Sequence, residues 1–195
     1  MKHFFSLEVY KQRALRHALI FVILNLCAGF VIGATVPLIM RLGIAIEDWK
    51  GAVVVGLQYF AQFFAPLGVV LLVSISLGQE FEQKTIVQQR LRGIDPPGYL
   101  IPKFVCLVGA VLVSHVLNFW IPGLLLLPAE TWPAHTTGLI AIVLHDTWLV
   151  GLTMLFVCLT GQSLGGLLAS TGFLLVLDWV GSALLNWIGA AFGRP

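Results

Sequence analysis

Long apolar runs, interrupted by short polar segments, dominate the pattern along this chain. Residues 18–40 and 51–79 contain no charged side chain, and residues 104–129 form a third uncharged run. A helix needs about 20 apolar residues to cross a bilayer. We therefore predict transmembrane helices at 18–40, 51–79 and 102–127.

The apolar sequence that follows is divided by a glycine-rich turn that begins at Gly161. Helices of the length that a bilayer requires fit on both sides of this turn. We predict a fourth span at 138–160 and a fifth at 164–180. Residues 182–193 are too short for a full span and are predicted to form a re-entrant or partial helix.

The composition decides between a soluble and a membrane-embedded class. Hydrophobic residues make up 58% of the chain and the mean hydropathy is +0.96, whereas soluble domains are about 45–50% apolar. The expected fold is an all-α integral membrane protein: a single transmembrane domain over residues 1–195 with about five to six transmembrane helices. The three cysteines lie far apart in apolar runs and are interpreted as packing residues.

Basic residues predict which ends of the spans face the cytoplasm. They cluster in residues 1–17 and in the charged segment 80–98, whereas the alternate links contain few. By the positive-inside rule, both clusters are expected to be cytoplasmic. Residues 1–17 also carry aromatic side chains, which favours an amphipathic helix at the membrane interface. The expected location is a bacterial cytoplasmic membrane, crossed several times.

The segment between the second and third spans combines charge with turn signals. Glu80 and Lys84 lie four residues apart, the spacing of a favourable helical ion pair. Gly93 is predicted to end a short helix, and Asp95-Pro96-Pro97-Gly98 to turn the chain. Lys103 is expected at the mouth of the third span.

This segment resembles the signature of the ABC-2 type permeases, the membrane subunits of a class of ABC transporters. It reads Glu80-Phe81-Glu82-Gln83-Lys84-Thr85 and, after the proline turn, Ile101-Pro102-Lys103-Phe104. The family pattern is an acid, an aromatic residue, an acid, any residue, glycine or lysine, and threonine; Lys84 stands where glycine is common. The family usually has six spans, so a sixth is either missing here or merged with a neighbour.

The resemblance implies that the segment after the second span is a coupling helix, which docks on a separate ATP-binding subunit. Lys103 would anchor the third span at the interface. The residues that the resemblance assigns to the contact with the ATPase are Glu80, Phe81, Glu82, Lys84, Thr85, Arg90 and Arg92.

The expected function is therefore that of a transport subunit, and of an exporter by resemblance. The sequence contains no G-x-x-x-x-G-K-[ST] phosphate loop, so ATP and Mg²⁺ are expected on the partner subunit and no cofactor on this chain. The family forms its pathway between two permease copies, which implies a homodimer or a heterodimer. Membrane lipid is an expected partner and nucleic acid is not.

Ionisable residues within the spans are candidates for the transport pathway. These are His115 in the third span and His145 and Asp146 in the fourth; Asp178 lies near the end of the fifth. Neighbours on a helix point about 100° apart, so His145 and Asp146 are not expected to form a dyad. An interhelical hydrogen bond is expected for His115, and Asp146 is expected to face the cavity between two copies.

Two other function classes remain open. An intramembrane enzyme could use the same histidine and aspartate residues, although the sequence has no H-E-x-x-H, G-x-S-x-G or paired-cysteine motif. A non-transporting accessory or immunity protein could keep the fold as a binding partner. No catalytic or metal-binding residue is assigned.

Overall fold

The computed structural model describes residues 16–31, 35, 49–91, 93 and 95–191. Its elements are helices and helical turns. In chain order they are α1 (Arg16–Val31), α2 (Trp49–Tyr59), a π-helical turn (Phe60–Phe64), α3 (Ala65–Glu82), α4 (Thr85–Leu91), α5 (Pro96–His115), a second π-helical turn (Val116–Trp120), α6 (Ile121–Leu126), a 3₁₀ turn (Ala129–Thr131), α7 (Trp132–Thr160) and α8 (Ser163–Ala191).

Three helical stretches in this described part are long and apolar enough to cross a membrane. They are Val53–Glu82, Pro96–Leu126 and Ala129–Thr160. Two shorter apolar helices, Arg16–Val31 and Ser163–Leu177, accompany them. The helical, membrane-embedded character expected from the sequence is thus supported, whereas the count of five to six spans stays a prediction.

Both π-helical turns have a proline as their local cause. Each turn ends two residues before a proline, Pro66 in α3 and Pro122 in α6. A proline within a helix has no N–H to donate, and its ring clashes with the carbonyl four residues earlier. A wider turn at that place accommodates the ring, so the chain continues as a helix through both spans.

Helix α3 is the centre of the bundle. It packs against α7 and α8 along its length and contributes side chains to a core shared with α5. Eleven of its 18 residues are buried. The fully buried apolar side chains of this core are Val69, Val70, Val73, Leu77, Leu107, Val111, Leu149, Val150 and Val157.

Close backbone approaches hold α3, α7 and α8 together at one end. A Cβ on Gly78 would lie 2.3 Å from the Cα of Ser163, so the two backbones meet there. Gly161 ends α7 in the left-handed conformation (φ 66°), and its N–H donates to the Val157 carbonyl over 2.8 Å. Gly161 thus permits a tight turn between α7 and α8, and Gly78 lets α3 approach the start of α8.

Several helices begin or continue at other residues than the predicted segments. The chain turns at Asp95, as expected, but Pro96-Pro97-Gly98 already form the first turn of α5, because proline is well suited to that position. Helix α8 continues through the break predicted between residues 180 and 182. Helix α7, which contains the predicted fourth span, starts at Trp132.

Some predicted features lie outside the described residues. They are the interfacial helix up to residue 15, most of the first span after residue 31, the link at 36–48, Arg92, the side chain of Asp178 and residues 192–195.

Gly78→Ala should destabilise the bundle by about 1–3 kcal/mol, because its methyl group would force α3 and α8 apart. Gly172→Ala is the matched control, since a Cβ there meets nothing within 4 Å and alanine favours a helix. Unfolding in mixed detergent micelles, followed by circular dichroism, measures both. Equal stability of the two variants would contradict the close approach of the backbones.

Candidate functional site

A short helix projects at the end of the bundle where α3 finishes. Lys84 adopts a left-handed conformation (φ 56°) between α3 and α4, and Gly93 (φ 79°) follows α4. Ile86 is buried, whereas Val87 and Leu91 are 54% and 83% exposed. Helix α4 therefore has an inner face that joins the core and an outer apolar face that is exposed among the described residues.

A buried ion pair connects α3 to α5 just inside this end. The Lys103 ammonium donates to the Glu80 carboxylate and, over 2.5 Å, to the Ser76 carbonyl. The Lys103 side chain is 0% exposed and that of Glu80 is 11% exposed. Lone charges inside a bundle are strongly unfavourable, so each of these residues stabilises the other.

The ion pair bears on two expectations. Lys103 lies in the third turn of α5 and its head is directed at α3 rather than into solvent, whereas its place at a membrane interface stays a prediction. Glu80 and Lys84 do not share a helix, because α3 ends at Glu82 and Lys84 belongs to the turn. Sequence spacing favoured the local partner, whereas the buried partner comes from another helix.

Glu82 links the same end of α3 to α8. Its Oε1 accepts hydrogen bonds from the backbone N–H and the hydroxyl of Ser163, both over 2.8 Å. Ser163 opens α8, so the carboxylate satisfies a backbone donor of the first turn and interacts favourably with the helix dipole. Sequence reasoning missed Ser163, although a serine directly after Gly161-Gln162 is a typical helix start.

The other residues assigned to the coupling segment divide between core and surface. Phe81 is half-buried and packs against the core cluster. Thr85, half-buried, opens α4, and Arg90 is exposed in its last turn. Glu82 is exposed but engaged by α8. The other exposed residues of the described segment are Gln83, Lys84, Val87, Gln88, Arg90, Leu91 and Gly93.

A second polar cluster lies at the middle of α7. Asp146 is 14 residues from each end of this helix, about 21 Å from either. Its Oδ2 is 2.7 Å from Nε2 of His115 on α5, and its Oδ1 is 2.9 Å from Nδ1 of His145. Asp146 is fully buried and His115 nearly so, whereas the His145 side chain is 49% exposed.

This cluster confirms one expectation and corrects two. The interhelical hydrogen bond of His115 is present, to Asp146. His145 and Asp146 do pair, because both side chains reach far enough from the helix to close the angle between neighbours. Asp146 does not face a cavity between copies, since it is enclosed within one chain; His145 is the member that reaches the surface.

The cluster satisfies a buried carboxylate at the middle of α7. The Asp146 carboxylate lies between two imidazoles and can accept a hydrogen bond from each of them. Carboxylates within apolar helices almost always pair with other polar groups in this manner. The contact with His115 also fixes α5 against α7 at this level.

No protein-family model, curated protein or solved structure matches this chain. The assignment of its function therefore depends on its residues and their geometry.

Lys103→Met should destabilise the protein by about 3–5 kcal/mol, because it leaves the Glu80 carboxylate buried without its ammonium partner. The double variant Glu80→Leu/Lys103→Met should regain most of this loss, since it removes both charges. The free energy of unfolding in mixed micelles tests the pair. If the free energy of unfolding of the double variant fell by the sum of the losses from the two single substitutions, the result would contradict the ion pair.

Lys84→Val should destabilise the turn before α4 by about 1–2 kcal/mol, whereas Lys84→Gly should not destabilise it. A β-branched residue is strained at φ 56°, and glycine is not. The same unfolding measurement applies to both variants. Equal losses would show that Lys84 acts through its side chain rather than through its backbone conformation.

Proposed function

We propose that this chain is the membrane-spanning permease subunit of an ABC transporter and an exporter, driven by a separate ATP-binding subunit that docks on α4. The observation that carries this proposal is an exposed short helix connected to three long helices by buried or hydrogen-bonded groups. Such an element can receive a force from outside and transmit it into the bundle. ATP and Mg²⁺ would bind to the partner subunit.

The surface of α4 supports docking of a protein. Val87 and Leu91 are exposed apolar residues four apart, so they lie on one face of the helix. Arg90 is exposed beside them. Apolar anchors flanked by an arginine are typical of the energetic centre of a protein interface.

The connections of α4 support transmission of movement. Ile86 inserts into the core, Glu80 pairs with Lys103 of α5, and Glu82 holds the start of α8. A displacement of α4 would therefore move α3, α5 and α8 together. This is the mechanical role that the resemblance implies for a coupling helix.

The backbone at position 84 gives independent support to the resemblance. Lys84 stands where glycine is common in the ABC-2 pattern, and its φ of 56° is a conformation that glycine adopts without strain. The family pattern and the observed turn therefore both indicate a left-handed backbone conformation at this position.

The middle of α7 supports pairing with a second permease copy. His145 is half-exposed near the midpoint of this helix, and polar groups at that depth face protein or a water-filled cavity rather than lipid. We propose that a second copy, identical or related, covers this face and that the pathway runs beside it. His145 would then contact the pathway, with His115 and Asp146 holding it in position.

The proposal is tested by pull-down of the detergent-solubilised chain from its native membrane, with co-purified proteins identified by mass spectrometry. Wild type should retain an ATP-binding subunit, and Val87→Asp/Leu91→Asp should lower its yield about tenfold or more, because two charges enter the docking face.

Ala129→Asp is the control, since it places the same charge on an exposed residue at the opposite end of the spans. Docking on α4 is supported if wild type and this control both retain an ATP-binding subunit and the α4 variant does not. The proposal fails if no such subunit accompanies wild type, or if the α4 variant retains it fully.

A further inference from the structure

A groove runs between α1 and the helices that follow it. Its volume is about 460 Å³. Helix α1 contacts the bundle through a buried stripe that includes Ala18 and Phe21. Its lining includes His17, Leu24 and Asn25 on one side and Phe64, Gly68 and Leu71 on the other.

The groove is open along its side. Leu24 is 63% exposed, Phe64 61% and Leu71 46%, so its rims face outward from the bundle. Gly68 forms part of the floor, where a Cβ would lie 3.3 Å from the Phe21 ring, so α1 and α3 approach each other closely at this point.

The length of the groove matches a lipid chain of one leaflet. The lining of α1 from His17 to Ala28 extends about 17 Å, close to half of a hydrocarbon core of about 30 Å. An acyl chain of one leaflet covers that half, so a single chain can lie along the whole groove.

The chemistry of the walls also selects a hydrocarbon. Among the lining residues only His17 and Asn25 carry polar side chains, and the Asn25 amide already donates to the Phe21 carbonyl over 3.1 Å. An extended peptide would leave its backbone groups without partners here. An acyl chain requires none.

The end of the groove at His17 is cationic. Arg16 precedes His17 and is exposed. Basic residues at a membrane surface attract anionic lipids. We infer that the groove binds one acyl chain of an anionic phospholipid, whose headgroup lies beside Arg16 and His17.

This site is independent of the proposed transport function, because it uses neither α4 nor the His115–Asp146–His145 cluster. The lipid would fill the space between α1 and α3 and would connect the movement of α1 to the composition of one leaflet. A permease and a non-transporting membrane protein could both use it.

Native mass spectrometry of the full chain tests the inference. The protein is reconstituted in vesicles of equal phosphatidylglycerol and phosphatidylcholine, extracted in mild detergent, and its retained lipids are counted. Wild type should retain one phosphatidylglycerol per chain. Leu24→Trp and Leu71→Trp, which fill the groove from opposite walls, should each lower that occupancy about fivefold or more.

Matched controls separate the groove from general effects. Leu19→Trp changes an exposed leucine of α1 outside the groove and should retain the lipid. Arg16→Gln should lower the preference for phosphatidylglycerol about fivefold, as loss of one surface cation predicts, and Arg90→Gln should not.

The inference is overturned by any of three results. Both groove variants could retain the lipid as wild type does, or Leu19→Trp could lose it equally. Alternatively, the groove variants could separate a dimer without any change in bound lipid. Apparent melting temperatures, measured in parallel, identify a variant that has lost its fold. If one of the two groove variants is unfolded, the lipid occupancy of the other one decides the test.

Discussion

The ion pair between Lys103 and Glu80 sets the arrangement of the end of the bundle from which α4 projects. Its members come from α5 and α3, and the ammonium is completely enclosed. A charge in such a place is stable only if its partner and its hydrogen-bond acceptors are held in position. Helix α5 is therefore held to α3 at Ser76 and Glu80, and α4 begins shortly after Glu82 at the same end of α3.

The His115–Asp146–His145 cluster imposes the same kind of constraint at a different depth. It joins α5 to α7 near the middle of the spans, whereas the ion pair joins α5 to α3 near one end. Helix α5 is thus held by two polar attachments, 12 residues apart, on two different neighbours. Apolar packing alone would let such helices slide and rotate with little loss, because lipid tails are as apolar as the side chains themselves.

The long apolar helices are predictable from the sequence because long uncharged runs are seldom compatible with a soluble fold, and the described helices at 53–82, 96–126 and 129–160 contain most of those runs, with different ends. The partners of the charged residues are not predictable in this way. An isolated lysine in a sequence is expected to seek water, which places Lys103 at an interface. Its true acceptor is 23 residues away, and only the crossing of two helices brings them together. Counting helical angles likewise separates His145 from Asp146, because it neglects the length of their side chains.

The two π-helical turns change the phase of the spans that contain them. A π turn includes one residue more than the α-helical turn it replaces, so the side chains after Phe64 and after Trp120 are rotated by about 100° relative to an uninterrupted helix. The two segments of each span consequently present different stripes of the sequence to the core. A single helical period drawn through either run therefore assigns the wrong face to one of its segments. Loss of one residue from either turn would rotate the helix that follows, and buried positions of that helix would become exposed.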